Sequence, residues 1–454
     1  MKKIFLLLSL LAIVVCTVKA QKEVDASYRR SSVCLILMEE PSMPKRDVIK
    51  EAFLSTPIPE KYNDHNIDSR IFDVSRISVN DADNKAYDAA VYVEGGKAKP
   101  AMSSDTKKAL GKGVKALGRL SGNRTAAAVS SKADETISEN ADRNVYAVKA
   151  YKHLLEQKVA KQLFDKWFID GGEFSIDLIR ERGLYDASAL DIAKAKSSVR
   201  GLGSLEDAGE ELINNTFVIV SRFNYLSKDE LSADIDRMTS ELTSKLGGAT
   251  ASMVSSAAVK ATLGAGYYVM ITSYLFKLDW NEEIAGTLYS ELWDNMSAYN
   301  SSDIFSLQYV GEETAWANVR ASIFTSKPES ELINIATINA TDAVLAKLEK
   351  KYDIFKTKTP MLSMDPVTAA IGMKEGLEAG DKYEVLEKNV DSKTGKTVYK
   401  RVGTVKVSND QIWDNRFMAG EERELTGEAQ DFTVTKFDGD SKNFYPGLLL
   451  RQIK

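Results

Sequence analysis

Two histidines, two cysteines and 65 acidic side chains are the residues of this 454-residue chain that could do chemistry. His65 lies in Pro57-Ile-Pro-Glu-Lys-Tyr-Asn-Asp-His65-Asn66, a polar, proline-led stretch with Asp64 adjacent. Loops of this kind carry function more often than cores do, so Asn63, Asp64, His65 and Asn66 form a candidate binding loop. The same imidazole and amides could instead satisfy backbone groups within the turn. His153 stands beside Lys149, Lys152 and Glu156, off the apolar stripe of its helix, which predicts a solvated surface residue. Cys34 falls inside the apolar run Ser32-Val-Cys-Leu-Ile-Leu-Met38 with no cation adjoining to lower its pKa, so it reads as a buried strand residue and not a nucleophile.

This inventory excludes several function classes. A Ser-His-Asp hydrolase would need His65 or His153 as its base, and no Gly-x-Ser-x-Gly elbow is present. Structural zinc demands more Cys and His than the chain holds once an N-terminal segment carrying Cys16 is removed. Calcium could use Asp64, Asp68 and carbonyls near Asn63, yet no Asp-x-Asp-x-Asp-Gly loop exists. A P-loop needs glycine where Val390 stands before Gly395-Lys396-Thr397, and Gly111-Lys-Gly113 follows no strand. No cofactor and no nucleic-acid partner are expected. A hydrolase working through two carboxylates stays open, because the acids offer many pairs of unknown separation.

The N-terminus supplies an address. Lys2 and Lys3 precede an apolar run from Ile4 to Val15, and Val18-Lys-Ala20 leads to Gln21. That run is too short to span a bilayer, and the small residue at its exit fits signal-peptidase cleavage after Ala20. Cys16 would tether the chain if lipidated, but Val15 stands where the lipid-attaching enzyme prefers a small residue. Removing Lys2, Lys3 and Lys19 makes the mature chain more acidic than its formal charge of −5. It also leaves one thiol, so packing and not an internal disulfide must hold the exported protein. No later segment is long and apolar enough for a transmembrane span.

Several elements could position these residues. A strand is predicted over 31–40 and a helix over Lys45 to Phe53, stopped by Pro57 and Pro59. Val148, Tyr151, Leu155, Val159, Leu163 and Trp167 draw one stripe on a long helix ending near Phe168. A helix opening at Ser204, a strand from Thr216, and a helix led by Ser227-Lys-Asp-Glu230 come next. Strands are predicted at Gly266 to Leu278 and Arg320 to Thr325. A helix is read through Ile284, Leu288 and Leu292, and another opens at Thr341 and runs to Lys351. Glycine-punctuated alternation around Lys382 to Glu387, Thr397 to Tyr399, Gly403 to Val407 and Leu448 to Leu450 predicts antiparallel hairpins closing a small barrel.

Between Lys97 and Lys132 nine basic residues face one acid, Asp105. This is a basic insertion, read either as a solvated loop or, through Lys108, Lys112, Lys115 and Arg119, as a contact for an anionic surface. The organisation expected is a signal peptide (1–20), an α/β segment (21–95), the insertion (96–141), a central α+β domain (142–360) and a small β-barrel (361–454). The fold class is α+β, mixed α/β in the N-terminal and central regions with a small antiparallel barrel at the end.

The stretch Pro57 to Asn66, Arg182-Gly-Leu-Tyr-Asp186 and Gly209-Glu-Glu-Leu-Ile-Asn-Asn-Thr-Phe-Val218 resembles an uncharacterised family of exported proteins from Gram-negative anaerobes. Ile371 to Val385, Lys393-Thr-Gly395 and Val402-Gly-Thr-Val-Lys-Val407 are similar to the C-terminal barrel of flagellar assembly T-type envelope proteins. The second likeness implies a fold, and no flagellar role follows from it. The expected function is a non-catalytic binding or assembly component of the periplasm or outer membrane. Envelope proteins or an anionic envelope surface are its expected partners. The alternative is a carboxylate-dependent envelope hydrolase acting on glycan.

Overall fold

A computed structural model describes residues 28–93, 144–185, 206–226, 266–320, 327–391, 397–427, 430–445 and 447–453. The chain is α+β, with a curled antiparallel half-barrel sheet near the C-terminus. Strand β1 (Ser32–Glu39) is the pivot of the first sheet. It runs parallel to β2 (Asn63–Asp64), β3 (Ile71–Asp73) and β6 (Thr216–Leu226), while β4 (Ile169–Asp170) and β5 (Glu173–Phe174) pair apart as a short antiparallel hairpin. The antiparallel strands β7 (Gly266–Leu278) and β8 (Leu307–Arg320) extend the sheet beyond β6. Residues from 21–95 and from 142–360 therefore share one sheet.

That sheet is covered on both faces, which is why β1 reads as one continuous apolar run. Val33, Leu35 and Leu37 pack with α1 (Arg46–Ser55) on one face. Cys34, Ile36 and Met38 point to the other, where α2 (Asp81–Ala89), α3 (Val145–Glu156), α4 (Val159–Phe168), α5 (Ile176–Tyr185) and α6 (Glu206–Asn214) gather. Burial pushes the Cys34 thiol up to about 11, in keeping with an inert core residue. The same layer takes α7 (Glu282–Thr287), a π-helical turn carrying Leu288 and Leu292, and α8 (Met296–Ser301).

Two expectations are corrected. The stripe from Val148 to Trp167 is not one helix: Lys158 takes a left-handed conformation (φ 51) and separates α3 from α4. The break resets the register, so Leu154 is buried and Leu155 is 52% exposed. The helix read as opening at Thr341 is α9 (Glu329–Lys351), which begins twelve residues earlier behind Pro328. Its acids Glu329 and Glu331 and its bases Lys350 and Lys351 suit the two ends of the helix dipole. It is buried nearly all round, between the sheet and the C-terminal region, so no single stripe marks it. Thr337 and Thr341 return their hydroxyls to the carbonyls of Ile333 and Thr337 at 2.8 and 2.9 Å, which permits threonine inside the buried helix. Of the strand placed at Arg320 to Thr325 only Arg320 is described, within β8. Residues 321–325 lie outside the described ones, as does the helix read from Ser227.

The C-terminal sheet has seven strands in the order β10, β11, β14, β13, β12, β15, β9. They are β9 (Thr359–Pro360), β10 (Ser363–Met364), β11 (Val367–Ala369), β12 (Lys382–Val390), β13 (Thr397–Val407), β14 (Thr435–Asp438) and β15 (Leu449–Gln452). The outermost strands β9 and β10 are separated only by Met361 and Leu362, so the sheet has to curl to bring its ends together. Tyr383, Val385, Val405, Phe437 and Leu450 fill the concave side. Among the described residues no helix is long and apolar enough to cross a membrane.

Candidate functional site

The loop around His65 is built inward. Asn63 and Asp64 extend the sheet as β2, and the His65 backbone N–H donates to the Val33 carbonyl at 3.0 Å. The His65 ring is 4% exposed and stacks on Trp167 of α4 with centroids 4.6 Å apart. Its Nε2 lies 3.0 Å from the Leu163 carbonyl oxygen, a pairing that requires the proton on Nε2. Asn66 Oδ1 accepts the Leu35 N–H at 2.8 Å and so stands in for a missing strand partner. Asp64 is exposed and accepts the Asn66 N–H at 2.9 Å. These four residues tie β1 to α4, with the imidazole used as an aromatic wedge.

The reading of His153 as a solvated residue is overturned. It is half-buried, stacked on Phe72 of β3 with centroids 3.9 Å apart. Burial lowers its pKa to about 4, so it is neutral near pH 7. The polar side of α3 faces another part of the chain: Lys149 Nζ donates to the Val74 carbonyl at 3.2 Å and Lys152 pairs with Asp83 at 3.0 Å.

Acidic side chains do gather, in a closed seam between α9 and the turn around 372–376. Asp342, on the outer side of α9, is 5% exposed. Neither of its carboxylate oxygens has a hydrogen-bond partner, and Lys374 Nζ stands 3.8 Å from Oδ2. Burial pushes this carboxyl up to about 7, against the opposing pull of Lys374 and Lys61 and with Glu375 adding to the rise. Glu375 is engaged elsewhere, accepting from the Gly372 N–H at 2.7 Å and from Asn415 Nδ2 at 2.8 Å. Glu349 pairs with Lys61 and accepts the Thr357 N–H at 2.8 Å. Among the described residues no group of three His, Cys, Asp or Glu side chains could hold a metal ion. An acid between Ile338 and Ala346 is a signal the sequence does contain, but on a helix opening at Thr341 it passes for an ordinary first-turn residue.

A cleft of about 140 Å³ opens where α3 breaks from α4. Its floor is Leu154, Phe305 and Leu307, and its polar lining is Tyr151, Lys158, Lys161, Ser302, Asp303 and Ser306. Lys158 is the N-cap of α4 and makes no side-chain cap, so the first-turn N–H groups of α4 lack the usual capping oxygen. A single helix from Val148 to Trp167 would conceal this site, because the cleft exists only at the break. The candidate surface residues Lys108, Lys112, Lys115 and Arg119 lie outside the described residues.

No protein-family model matches the chain, and no curated protein matches it.

Proposed function

We propose that the protein is an exported envelope component of the periplasm or outer membrane that binds or assembles without catalysing a reaction. The observation that carries this reading is the separation of Asp342, the described acid whose pKa burial raises, from the open cleft. Asp342 sits in a sealed seam, whereas the cleft presents ammonium and hydroxyl groups and a single carboxylate, Asp303, above an apolar floor. A concave site of that make-up suits ligand retention. The half-barrel agrees with the likeness of residues 371–407 to a small envelope-protein barrel, and the basic run 97–132 adds a surface for anionic envelope material. A glycan hydrolase would instead require two acids converging on a cavity large enough for a sugar.

Cell fractionation with N-terminal sequencing tests the address. The expected result is a chain beginning at Gln21 in the envelope fraction; recovery from the cytosol with Met1 attached overturns it. Crosslinking in intact cells tests the role, with specific protein adducts expected. Deleting residues 97–132 should weaken retention on anionic vesicles at low salt.

A further inference from the structure

We propose that the cleft at the α3–α4 break is a binding site for a small carboxylate bearing a short apolar chain. The inference rests on the binding reading above and names the ligand class of its cleft. Tyr151 lines the cleft at 8% exposure, and its hydroxyl makes no hydrogen bond among the described residues. A hydroxyl on a largely buried ring that no protein group engages, and that solvent can reach, is open to a partner from outside. Burial raises the Tyr151 pKa, so the group remains a neutral donor and seeks an acceptor.

The surroundings select the charge of that acceptor. The α4 N-terminus contributes Ala160 and Lys161 to the lining, and an uncapped helix start favours an anion through its free N–H groups and dipole. Lys158 adds a second ammonium. Its pairing with Asp303 at 3.4 Å is between side chains 59% and 87% exposed, which makes it a weak pair that an incoming carboxylate can replace. Lys161 is held in place by Asp165 at 3.0 Å and by the Tyr299 ring at 4.2 Å, so its charge is fixed beside the site. Below these groups Leu154, Phe305 and Leu307 offer nothing polar, and the cavity volume of about 140 Å³ limits the apolar part to a short chain. A sugar would leave its hydroxyls unpaired against that floor.

Titration of the full-length mature protein with hexanoate at low salt, followed by calorimetry and ligand NMR, tests the assignment. Hexanoate should bind, and should bind more tightly than acetate, which lacks the apolar chain. Hexanamide, of the same shape without charge, should bind about tenfold more weakly or not at all. Tyr151→Phe and Lys158→Ala should each lower hexanoate affinity by about fivefold to tenfold, while Lys85→Ala, an exposed lysine of α2 outside the cleft, should leave it unchanged. No binding of hexanoate, or equal binding of hexanoate and hexanamide, overturns the proposal without needing any variant. If small carboxylates fail while cellular crosslinks persist, this assignment falls and the binding reading stands. If bound hexanoate is converted to product, the site is upheld and the non-catalytic reading falls.

Discussion

The Tyr399 hydroxyl donates to the Glu211 carboxylate, lying 3.0 Å from each of its oxygens, and so joins β13 of the half-barrel to α6 of the α/β layer. Because its one proton points to Glu211, the Tyr28 hydroxyl 2.7 Å away must donate into Tyr399. Lys358 Nζ stands 3.5 Å from the same carboxylate and 4.0 Å above the Tyr399 ring, and Arg30 Nε stands 3.8 Å from the other oxygen. Three stretches far apart in sequence thus meet on one acid.

Tyr399→Phe should therefore destabilise the protein by about 1–3 kcal/mol, since it removes the acceptor of Tyr28 and a donor to Glu211 together. Urea unfolding measures this directly. A midpoint equal to that of the parent chain would show that the clasp contributes nothing.

Asp342 sets a pH dependence of unusual sign. Its carboxyl is raised from 3.8 to about 7 in the folded protein, so the native state holds a proton that the unfolded chain releases. Stability from this group is full at low pH and is lost as pH rises from about 4 to about 7. Across that window the loss approaches about 1.4 kcal/mol for every tenfold fall in proton concentration. Asp342→Asn should flatten this slope, gaining Tm over the parent chain at pH 8 and little at pH 5. The groups that face Asp342 are Lys374, Glu375 and Lys61, and Lys374→Met should steepen the loss by removing the nearest cation. Parallel Tm profiles of parent and Asp342→Asn would refute a buried carboxyl that lacks a hydrogen bond.

His153 works in the opposite direction. Its folded pKa of about 4 lies below the ordinary 6.5, so the native state excludes a proton that the unfolded chain takes up. Its contribution is present above about pH 6.5 and falls away on acidification towards pH 4. His153→Phe preserves a ring against Phe72 and removes the proton. The variant should lose less Tm than the parent chain between pH 7 and pH 4.5, and an identical loss would place His153 in water.

Sequence periodicity recovers the elements whose partners are local or uniform. β1 is legible because both its faces are apolar, and β7 because its tyrosine-rich run is bounded by Gly266 and Leu278. The hairpin β12–β13 follows from alternation around its turn. What stays hidden depends on tertiary contacts. The polar face of α3 looks solvated although β3 and α2 cover it, and α9 shows no stripe because layers lie on both its sides. The cleft is invisible for a different reason: a left-handed lysine at 158 interrupts a pattern whose spacing continues across the break. His65 can be named as special, yet only its stack on Trp167 says what it does.

Gly311 carries the last prediction. The register of β7 and β8 shifts between Leu275 and Phe276, and opposite that irregularity Gly311 adopts φ 155. A Cβ there would stand 2.1 Å from the Tyr352 hydroxyl, which accepts the Glu312 N–H at 2.9 Å and donates to the Glu312 carbonyl at 3.1 Å. The hydroxyl thus replaces a strand neighbour at the bulge, and only glycine leaves room for it. Gly311→Ala meets both the steric clash and an unfavourable backbone, so it should destabilise by about 2 kcal/mol or more. Tyr352→Phe should cost about 1 kcal/mol, through the unpaired Glu312 N–H. Combining Gly311→Ala with Tyr352→Ala should cost less than the sum of the two single changes, because the hydroxyl and the ring carbons that the new methyl strikes, at 2.1, 2.3 and 2.5 Å, are then gone. Strict additivity in urea unfolding would show that the two residues do not meet.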